Sequence, residues 1–464
     1  MMQIDTTITP QDLAAPLADF WPLSGKKIAD LCLNYDPDAG TPVFTVQGQY
    51  KSKGWTEWTQ GFQYGWAILQ FDATGDEQFL ELGRTRTVSE MASHVSHIGV
   101  HDHGFNNVST YGNLRRLMLE GRIPRHSWEL NFYEMALKAS GAVQAARWSP
   151  TFEGGGYIHS FNGPQSLFAD TIRSVRSLSL AHLLDHRLMG ENDESISLLG
   201  RGLQHAQTTA DYNVFYGTGR DIYDEWGRVA HESVFNTNDG RFRMSATQQG
   251  YSAFSTWTRG LSWIMTGYPE QLEFLQIISD EDLEPHGGRH AIEEMMLRAA
   301  RASCDYYLSS SPSDGIPYWD TGAPGLAHQA DHMDAPADPF NRFEPVDSSA
   351  AAIGAQGLLR LGRLLTQRGD PDGTRYTAAG LTIVRRLLKE PYLSTSDEHQ
   401  GLLLHGVYHR PRGWDYCPDP DGVPRGEAVM WGDYHLVEVA LMVQRMIDGN
   451  PNYYTFFGPS GSTS

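Results

Sequence analysis

Three neighbouring side chains, His101, Asp102 and His103, form a dense cluster of acid and base groups. They precede Gly104 and Phe105 and follow a predicted helix. A carboxylate on a glycine-backed turn with imidazoles beside it has an altered proton affinity, which suits acid–base catalysis. We therefore predict Asp102 as one catalytic carboxylate. The structural alternative is that the imidazoles only cap the carbonyl groups at a helix end.

A metal site is a further alternative for this cluster. His and Asp are ligands of zinc and manganese, and Asp331, His332 and Asp334 could complete a set of ligands. No HExxH-type spacing, however, places two ligands on one helical face. We therefore expect neither a metal nor another cofactor.

Asp170 is the second candidate carboxylate. We predict that it lies about two turns into a helix that Gly163 and Pro164 open. Two nearby carboxylates that shift each other's pKa apart can divide the roles of acid and base. The alternative is a surface acid on the margin of the apolar face that pairs with Arg173, one turn further on.

The run TQQGYSAFSTWTRGLSW (247–263) combines amide, indole and guanidinium groups. Arg259 and Trp263 are one helical turn apart, Trp257 is close by, and Gln249 precedes them. A guanidinium between two indoles suits a sugar ring that bears a carboxylate. An ordinary core helix is the alternative, because an apolar stripe also passes through Trp257.

Aromatic residues are abundant in the predicted loops. The chain has 12 Trp and 21 Tyr, and apolar faces of sugars stack on such rings, so we predict a carbohydrate groove that includes Trp58. Core packing accounts for some of them. The loop positions are 55–58, 216–226, 318–319, 408–416 and 431–434.

Helical periodicity predicts the elements that position these groups. Apolar residues at steps of three and four recur from residue 62 onward and favour an all-α protein. Besides the helix that carries Asp170, the predicted helices are 76–97, 106–121, 129–145, 191–210, 251–268, 289–308, 347–366, 371–389 and 433–447. Long loops at 149–166, 211–250, 309–346 and 405–432 separate them, and loops of such length are usually functional.

Composition excludes several classes of function. The formal net charge of −20 repels phosphate backbones and anionic membranes, so nucleic acid and membrane are not expected partners. An acidic sugar would need a local cation for its capture. Three separated cysteines and no apparent secretory signal predict a cytoplasmic protein, and no apolar run is long enough to span a membrane.

These motifs together resemble glycoside hydrolase family 88, the unsaturated glucuronyl hydrolases. The shared pattern is HDxGF at 101–105, an aspartate on a following helix at Asp170, and QGYxxxSxWxRGxxW from Gln249 to Trp263. His231 also stands 18 residues before Gln249, as in the family. Further segments in family order are GIPYWD, DSSAAAIGAQGLL, HGVYHRP and WGDYHLVEVAL, so the resemblance spans roughly residues 55–445.

The resemblance implies an (α/α)6 barrel with six inner and six outer helices and a pocket at one end. We expect an N-terminal segment over 1–50 packed on the barrel, the catalytic barrel over 51–450 and a C-terminal tail over 451–464. The expected quaternary state is a monomer or a homodimer.

The resemblance also implies the reaction: hydration of the C4=C5 double bond of a nonreducing-end unsaturated uronate, which releases the rest of an oligosaccharide made by a lyase. Asp170 is then the general acid and base, with a pKa raised by burial, and Asp102 is the second carboxylate. The predicted substrate-binding residues are His101, Phe161, His231, Gln249, Trp257, Arg259, Trp263 and Trp58.

Departures from the family pattern concern the leaving sugar. Phe161 stands where tryptophan is usual, Gln63 stands where an aromatic residue is common, and the loop at 211–230 is enlarged. The alternatives left open are a family 105-like unsaturated rhamnogalacturonyl hydrolase, a sugar epimerase on the same barrel, and a carbohydrate-binding protein.

Overall fold

Helices form most of the structure. The computed structural model describes residues 1–54, 57–450 and 453–458. Within these ranges the α-helices are α1 (Ala14–Asn34), α2 (Gln60–Thr74), α3 (Glu77–Glu90), α4 (Ala92–Val95), α5 (His103–Asn107), α6 (Asn113–Leu119), α7 (Ser127–Ala146), α8 (Thr171–Ser174), α9 (Arg176–Leu183), α10 (Leu198–Tyr212), α11 (Thr258–Leu275), α12 (Asp280–Leu283), α13 (Arg289–Ser310), α14 (Ser348–Gln367), α15 (Asp372–Leu387) and α16 (Met430–Ile447).

The long helices alternate along the chain between two rings. The outer ring consists of α1, α3, α7, α10, α13 and α15, and each is followed by an inner segment: α2, the pair α5 and α6, the pair α8 and α9, α11, α14 and α16. A π-helical turn at Val108–Gly112 joins α5 to α6. Contacts between α16 and α2 close the inner ring, which confirms the predicted (α/α)6 barrel.

Burial separates the two rings. All 18 residues of α11 are buried, and α2, α14 and α16 are almost as completely enclosed. Outer helices such as α13 bury only one face. A helix that is apolar on every side lies inside a protein, whereas an apolar stripe marks a helix that faces solvent.

Short strands complete the fold. They are β1 (Phe44–Val46), β2 (Gln49–Lys51), β3 (Trp148–Pro150), β4 (Gly156–Ile158), β5 (Ser166–Phe168), β6 (Leu188–Met189), β7 (Ser195–Ile196), β8 (Glu232–Phe235) and β9 (Phe242–Ala246). β8 pairs antiparallel with both β5 and β9, and Phe168 lies opposite Glu232. The residue after β5 pairs with the residue before β8, since the Ala169 N–H donates to the His231 carbonyl at 2.8 Å.

A buried ion network fills the barrel interior away from the helix N-termini. Arg173 contacts Glu270 at 3.0 Å and Glu438 at 2.9 Å, and Arg360 contacts Glu273 at 2.6 Å. The described residues 453–458 lie against this network, where the Tyr454 hydroxyl donates to Glu438 at 2.9 Å. Arg173 therefore has its partners in the interior of the barrel, and the predicted pair of Arg173 with Asp170 does not form.

Three predicted helix starts are wrong. Residues 166–168 form β5, so Gly163 and Pro164 open no helix and Asp170 directly precedes α8. The helix predicted over 251–268 begins only at Thr258, and the one predicted over 191–210 begins at Leu198 after the hairpin β6–β7. Buried Leu167 and Trp257 precede α8 and α11 and extend the apparent periodicity beyond these two helices.

The first 50 residues are more regular than their sequence indicates. They contain α1, a helix of 21 residues in the outer ring, with Pro22 inside it. Proline lowers helix propensity, but packing of Leu17, Phe20 and Ile28 against the barrel overrides it. The predicted divisions at residues 50 and 450 stay predictions, and the tail at 451–464 is described only over 453–458. None of the described helices is both long and apolar enough to cross a membrane.

Candidate active site

The candidate active site is a pocket where the inner helices begin. Its empty space, including the open mouth, is about 810 Å³. Nine of the ten predicted site residues line it: Trp58, His101, Asp102, Phe161, Asp170, Gln249, Trp257, Arg259 and Trp263. The tenth, His231, packs edge-on against Trp257 with ring centroids 4.7 Å apart.

Asp102 and Asp170 each occupy the position just before a short inner helix. Asp102 precedes α5 and Asp170 precedes α8, and neither side chain caps its helix. Both are buried at the pocket wall, with 9% and 7% of their surface exposed. The carboxylates are therefore available to a ligand, and the surface-acid alternative for Asp170 is wrong.

Gly104 brings the two carboxylates to the same wall. A Cβ at this position would lie 2.0 Å from the carbonyl oxygen of Ser174, so only glycine lets α5 approach α8 this closely. The Gly104 N–H also donates to the Ser174 hydroxyl at 3.0 Å. The glycine in the HDHGF motif thus determines the relative position of Asp102 and Asp170.

His101 lies between the two carboxylates. Its Nε2 donates to Asp170 Oδ1 at 3.2 Å and is 3.9 Å from Asp102 Oδ1. The ring is 1% exposed and stacks on Phe161 with centroids 5.9 Å apart. Besides its predicted role in binding substrate, His101 lies within 4 Å of both candidate acids.

His103 has the structural role that the alternative interpretation describes. Its Nε2 donates to the carbonyl of His97 at 2.9 Å, and its Nδ1 accepts from Ser140 at 2.9 Å. Burial lowers its pKa to about 4, so the ring is neutral near pH 7. It fixes the turn that presents Asp102.

The environment separates the proton affinities of the two aspartates. Burial and the charge of Asp170 raise the pKa of Asp102 above its ordinary value, although His101 opposes them. Burial also acts to raise the pKa of Asp170, but the hydrogen bond and charge of His101, with His231 and Arg259, bring it below the ordinary value. The predicted raised pKa of Asp170 is therefore wrong, because His101 donates to this carboxylate.

His231 is held as a neutral donor. Its Nδ1 accepts the backbone N–H of Gln248 at 2.9 Å, so the proton of the neutral ring is on Nε2. Burial lowers its pKa to about 4. No protein atom in the described ranges accepts a hydrogen bond from Nε2. A hydroxyl of a bound sugar would satisfy this buried donor.

Glu232 maintains that arrangement. It accepts from Gln248 Nε2 at 3.0 Å through one oxygen and from the Ser166 hydroxyl at 2.5 Å through the other. This links the loop at 247–250 to the sheet that carries Asp170. Neither Gln248 nor Glu232 was predicted from the sequence.

Arg259 is buried and already neutralised. It contacts Asp347 Oδ2 at 2.9 Å, donates to Gln249 Oε1 at 2.9 Å and to the Tyr408 carbonyl at 2.8 Å, and also donates to the Val407 carbonyl. Its guanidinium packs over Trp257 at 4.6 Å. The guanidinium therefore links three parts of the pocket wall. Its predicted attraction for a uronate is reduced by the negative charge of Asp347.

Stacked indoles form the aromatic wall. Trp58 stacks on Trp431 with centroids 4.9 Å apart, and Trp263 contacts Phe105 at 4.8 Å. Phe161 is 41% exposed at the opposite side of the pocket. Such faces suit the apolar surfaces of a pyranose ring.

The loop at 405–416 contributes residues that sequence reasoning missed. His409, Arg412 and Trp414 line the pocket, and His409 Nδ1 is buried with no hydrogen-bond partner in the described ranges. Asp415 holds the turn by accepting the backbone N–H of His409 at 2.9 Å. The HGVYHRP segment and the length of this loop were the available signals.

Metal ligands do not assemble in the part of the chain that the structure describes. No group of three or more His, Cys, Asp or Glu side chains there is arranged to hold a metal ion. Asp331, His332 and Asp334 lie outside the residues that line the pocket.

The chain is similar in sequence to curated proteins. No family model matches the chain. A curated unsaturated glucuronyl hydrolase from Bacillus sp. strain GL1 is 27% identical over 417 residues, which is 85% of this chain and 88% of that protein. An unsaturated chondroitin disaccharide hydrolase from Streptococcus pyogenes is 25% identical over 428 residues, 90% and 88% of the two chains.

Solved structures extend the likeness over the whole fold. An unsaturated glucuronyl hydrolase variant with dGlcA-Glc-Rha-Glc has a TM-score of 0.70 at 22% identity, and the match covers 96% of this chain and all of that chain. An unsaturated glucuronyl hydrolase specific for heparin also has a TM-score of 0.70, at 19% identity, over 94% and 98% of the chains.

Fold and site together define an (α/α)6-barrel protein with a paired-carboxylate pocket at the N-terminal ends of its inner helices. Within that class the chain is related to the unsaturated glucuronyl hydrolases, which confirms the resemblance to glycoside hydrolase family 88 that its motifs indicated.

Proposed function

We propose that the protein is a glycosidase that removes a nonreducing-end Δ4,5-unsaturated uronic acid from lyase-generated oligosaccharides by hydrating the C4=C5 double bond. The observation that carries the proposal is the pair Asp102 and Asp170, joined by His101 inside an aromatic pocket. An enol ether is protonated on carbon, so one positioned acid is sufficient to start the reaction.

Asp170 acts as general acid and base in this proposal. His101 Nε2 occupies Oδ1 of Asp170, which leaves Oδ2 as the oxygen that carries the reactive proton. That proton passes to C4, and the positive charge that develops at C5 is shared with the ring oxygen. Water then adds its hydroxyl to C5 and returns its proton to the carboxylate. The hemiketal opens to a ketone, and C1 releases the remaining oligosaccharide.

Asp102 and His101 supply Asp170 with its proton. Burial and the charge of Asp170 raise the pKa of Asp102, so Asp102 binds a proton more readily than a free aspartate does, and His101 Nε2 is within 4 Å of both carboxylates. An anionic uronate that enters the pocket raises the pKa of the carboxylate nearest to it, since like charges oppose ionisation. Substrate binding thus favours the protonated form of Asp170 over its charged form.

The remaining predicted residues bind and orient the sugar. His231 Nε2 and the amide of Gln249 donate to ring hydroxyls or to the attacking water, and Trp58, Trp257, Trp263 and Phe161 enclose the ring. Arg259 positions Gln249 and the turn at Tyr408 through its hydrogen bonds. These contacts explain binding of one sugar ring without a cofactor.

Loss of the ultraviolet absorbance of the conjugated alkene tests the proposal. The purified protein is mixed separately with unsaturated disaccharides from chondroitin, hyaluronan, heparin, ulvan and pectin. A fall in absorbance with a glucuronyl substrate, together with incorporation of labelled water oxygen at C5, is the expected result. Turnover of the pectin-derived product alone would favour the family 105-like alternative, and no turnover of any of them would refute the proposal.

A further inference from the structure

Five large apolar side chains are exposed on two loops at the edge of the pocket, and we call them the rim patch. Phe254 is 81% exposed, Ile222 77% and Tyr223 71%, with Tyr251 and Trp226 about half exposed. Isolated exposed apolar residues are ordinary, but a contiguous group of them beside a ligand site usually marks a binding surface.

A buried arginine joins the two loops into one surface. Arg228 contacts both oxygens of Asp224 at 2.6 Å, and its Nη1 donates to the carbonyls of Ala253 at 3.2 Å and Ser255 at 3.3 Å. Trp226 packs edge-on against Tyr216 with centroids 5.7 Å apart. The exposed side chains are therefore presented by loops that are fixed to each other.

The loop at 249–257 connects the rim patch to the pocket. Gln249 and Trp257 line the pocket, and Tyr251 and Phe254 lie between them in the chain. Consecutive Cα atoms are about 3.8 Å apart, so Tyr251 lies within about 8 Å of Gln249. The Tyr251 N–H donates to Asp320 at 2.8 Å, which fixes the start of this loop.

The chemistry of the rim patch selects its ligand. Exposed aromatic faces stack on the apolar faces of sugar rings. Asp224 is neutralised by Arg228 and Asp221 by Arg220, so these acids do not offer a net charge, and the neighbouring Glu225 is exposed. A sulfated or carboxylated sugar would meet no surplus of positive charge here, whereas a neutral sugar has no charge that must be desolvated on binding.

We propose that the rim patch binds the later, neutral sugars of an oligosaccharide whose unsaturated uronate occupies the pocket. This inference rests on the proposed function and adds to it a preference for chains longer than a disaccharide. Neutral hexose or deoxyhexose residues are the class of ligand that fits.

A pair of matched substrates tests the inference. The disaccharide ΔGlcA-Glc and the tetrasaccharide ΔGlcA-Glc-Rha-Glc share the sugars next to the reacting bond, where ΔGlcA is the unsaturated glucuronate. We expect the unchanged protein to have a kcat/KM about tenfold higher for the tetrasaccharide, the size expected for one or two stacking contacts. The variant Tyr223→Ala with Phe254→Ala should lose this advantage and retain its rate on the disaccharide.

Trp128→Ala is the matched control, because Trp128 is 84% exposed but lies on α7 in the outer ring. It should change neither rate. Equal rates of the unchanged protein on both substrates, or equal losses in the double variant, would overturn the inference and leave the proposed function intact. No turnover of either substrate would overturn both.

A second copy of the chain is the other possible occupant of the rim patch, and sedimentation at assay concentrations tests for it. A dimer that the double variant dissociates would mean that a second copy of the chain covers the rim patch, and the inference would be wrong. A variant that keeps the sedimentation behaviour of the unchanged protein is the expected result.

Discussion

Replacement of Asp170 by asparagine separates the proton from the shape of the side chain. Asparagine keeps an oxygen that accepts from His101 Nε2, which now lies 3.2 Å from Asp170 Oδ1, and it removes only the ionisable group. General acid–base catalysis contributes about 10²–10⁴ in rate for a proton transfer. Because Asp170 performs two such transfers in turn, we expect Asp170→Asn to lower kcat by about 10⁴ or more.

Asp102→Asn is the matched comparison on the neighbouring helix. In the proposed mechanism Asp102 assists the protonation of Asp170 and transfers no proton to carbon, so its loss should lower kcat by about 10², toward the lower end of the range for one proton transfer. Both variants should keep the thermal stability of the unchanged protein, because each removes one of two buried carboxylates that repel each other.

The measurement is the initial rate of alkene loss at saturating substrate, with thermal unfolding and substrate binding followed in parallel. Substantial turnover by Asp170→Asn, with binding intact, would refute Asp170 as the acid. A larger loss in Asp102→Asn than in Asp170→Asn would transfer that role to Asp102, in line with the raised pKa of that residue in the empty site.

Three further predictions follow from the site and the barrel interior. His101 lowers the pKa of both aspartates, so His101→Asn should move the basic limb of the kcat/KM profile to higher pH, where the acid now keeps its proton; an unmoved limb in a folded variant would contradict this. Arg259→Lys keeps the charge but loses the planar guanidinium that holds Asp347, Gln249 and the turn at Tyr408, so kcat/KM should fall at least tenfold. An unchanged kcat/KM would show that a positive charge at this position is sufficient. Glu438→Gln removes one of the two buried carboxylates that contact Arg173 and should cost about 3 kcal/mol in the free energy of unfolding, the lower end of the range for a broken buried pair because Glu270 remains. Glu293→Gln on the outer helix α13 should cost at most about 1 kcal/mol, and equal losses in denaturant unfolding would refute the argument.

The sequence identified the site better than it identified the boundaries of the helices that carry it. Asp102, Asp170 and the run from Gln249 to Trp263 could be selected because catalysis restricts residue type and spacing. Their secondary structure could not be, because tertiary contacts decide it. Leu167 fits a helical stripe, but it lies in β5, whose next residue Phe168 pairs with Glu232 across more than 60 residues of chain.

Pairings of buried charge were also beyond the reach of sequence. Asp347 caps α14 by accepting the backbone N–H of Ser349 at 3.1 Å, but its contact with Arg259 spans 88 positions. Helical spacing offered Asp170 as an alternative partner for Arg173, whereas Glu270 and Glu438 are its partners. Spacing along one helix predicts such pairs only for exposed helices, and α8 lies in the inner ring.

Because Arg259 is neutralised, another feature must attract an acidic sugar to this acidic protein. The net charge of −20 opposes capture, and Arg259 does not offset it because Asp347 lies 2.9 Å away. The N-terminal end of α11 supplies part of the missing attraction, because Trp257 and Arg259 at its start line the pocket. The start of α14 is already capped by Asp347. Each helix N-terminus favours a negative charge by about 0.3–1 kcal/mol and more where water is excluded. Together with the neutral donor His231, this helix end favours a carboxylate inside the pocket, whereas His101 and Arg259 favour the charged form of Asp170.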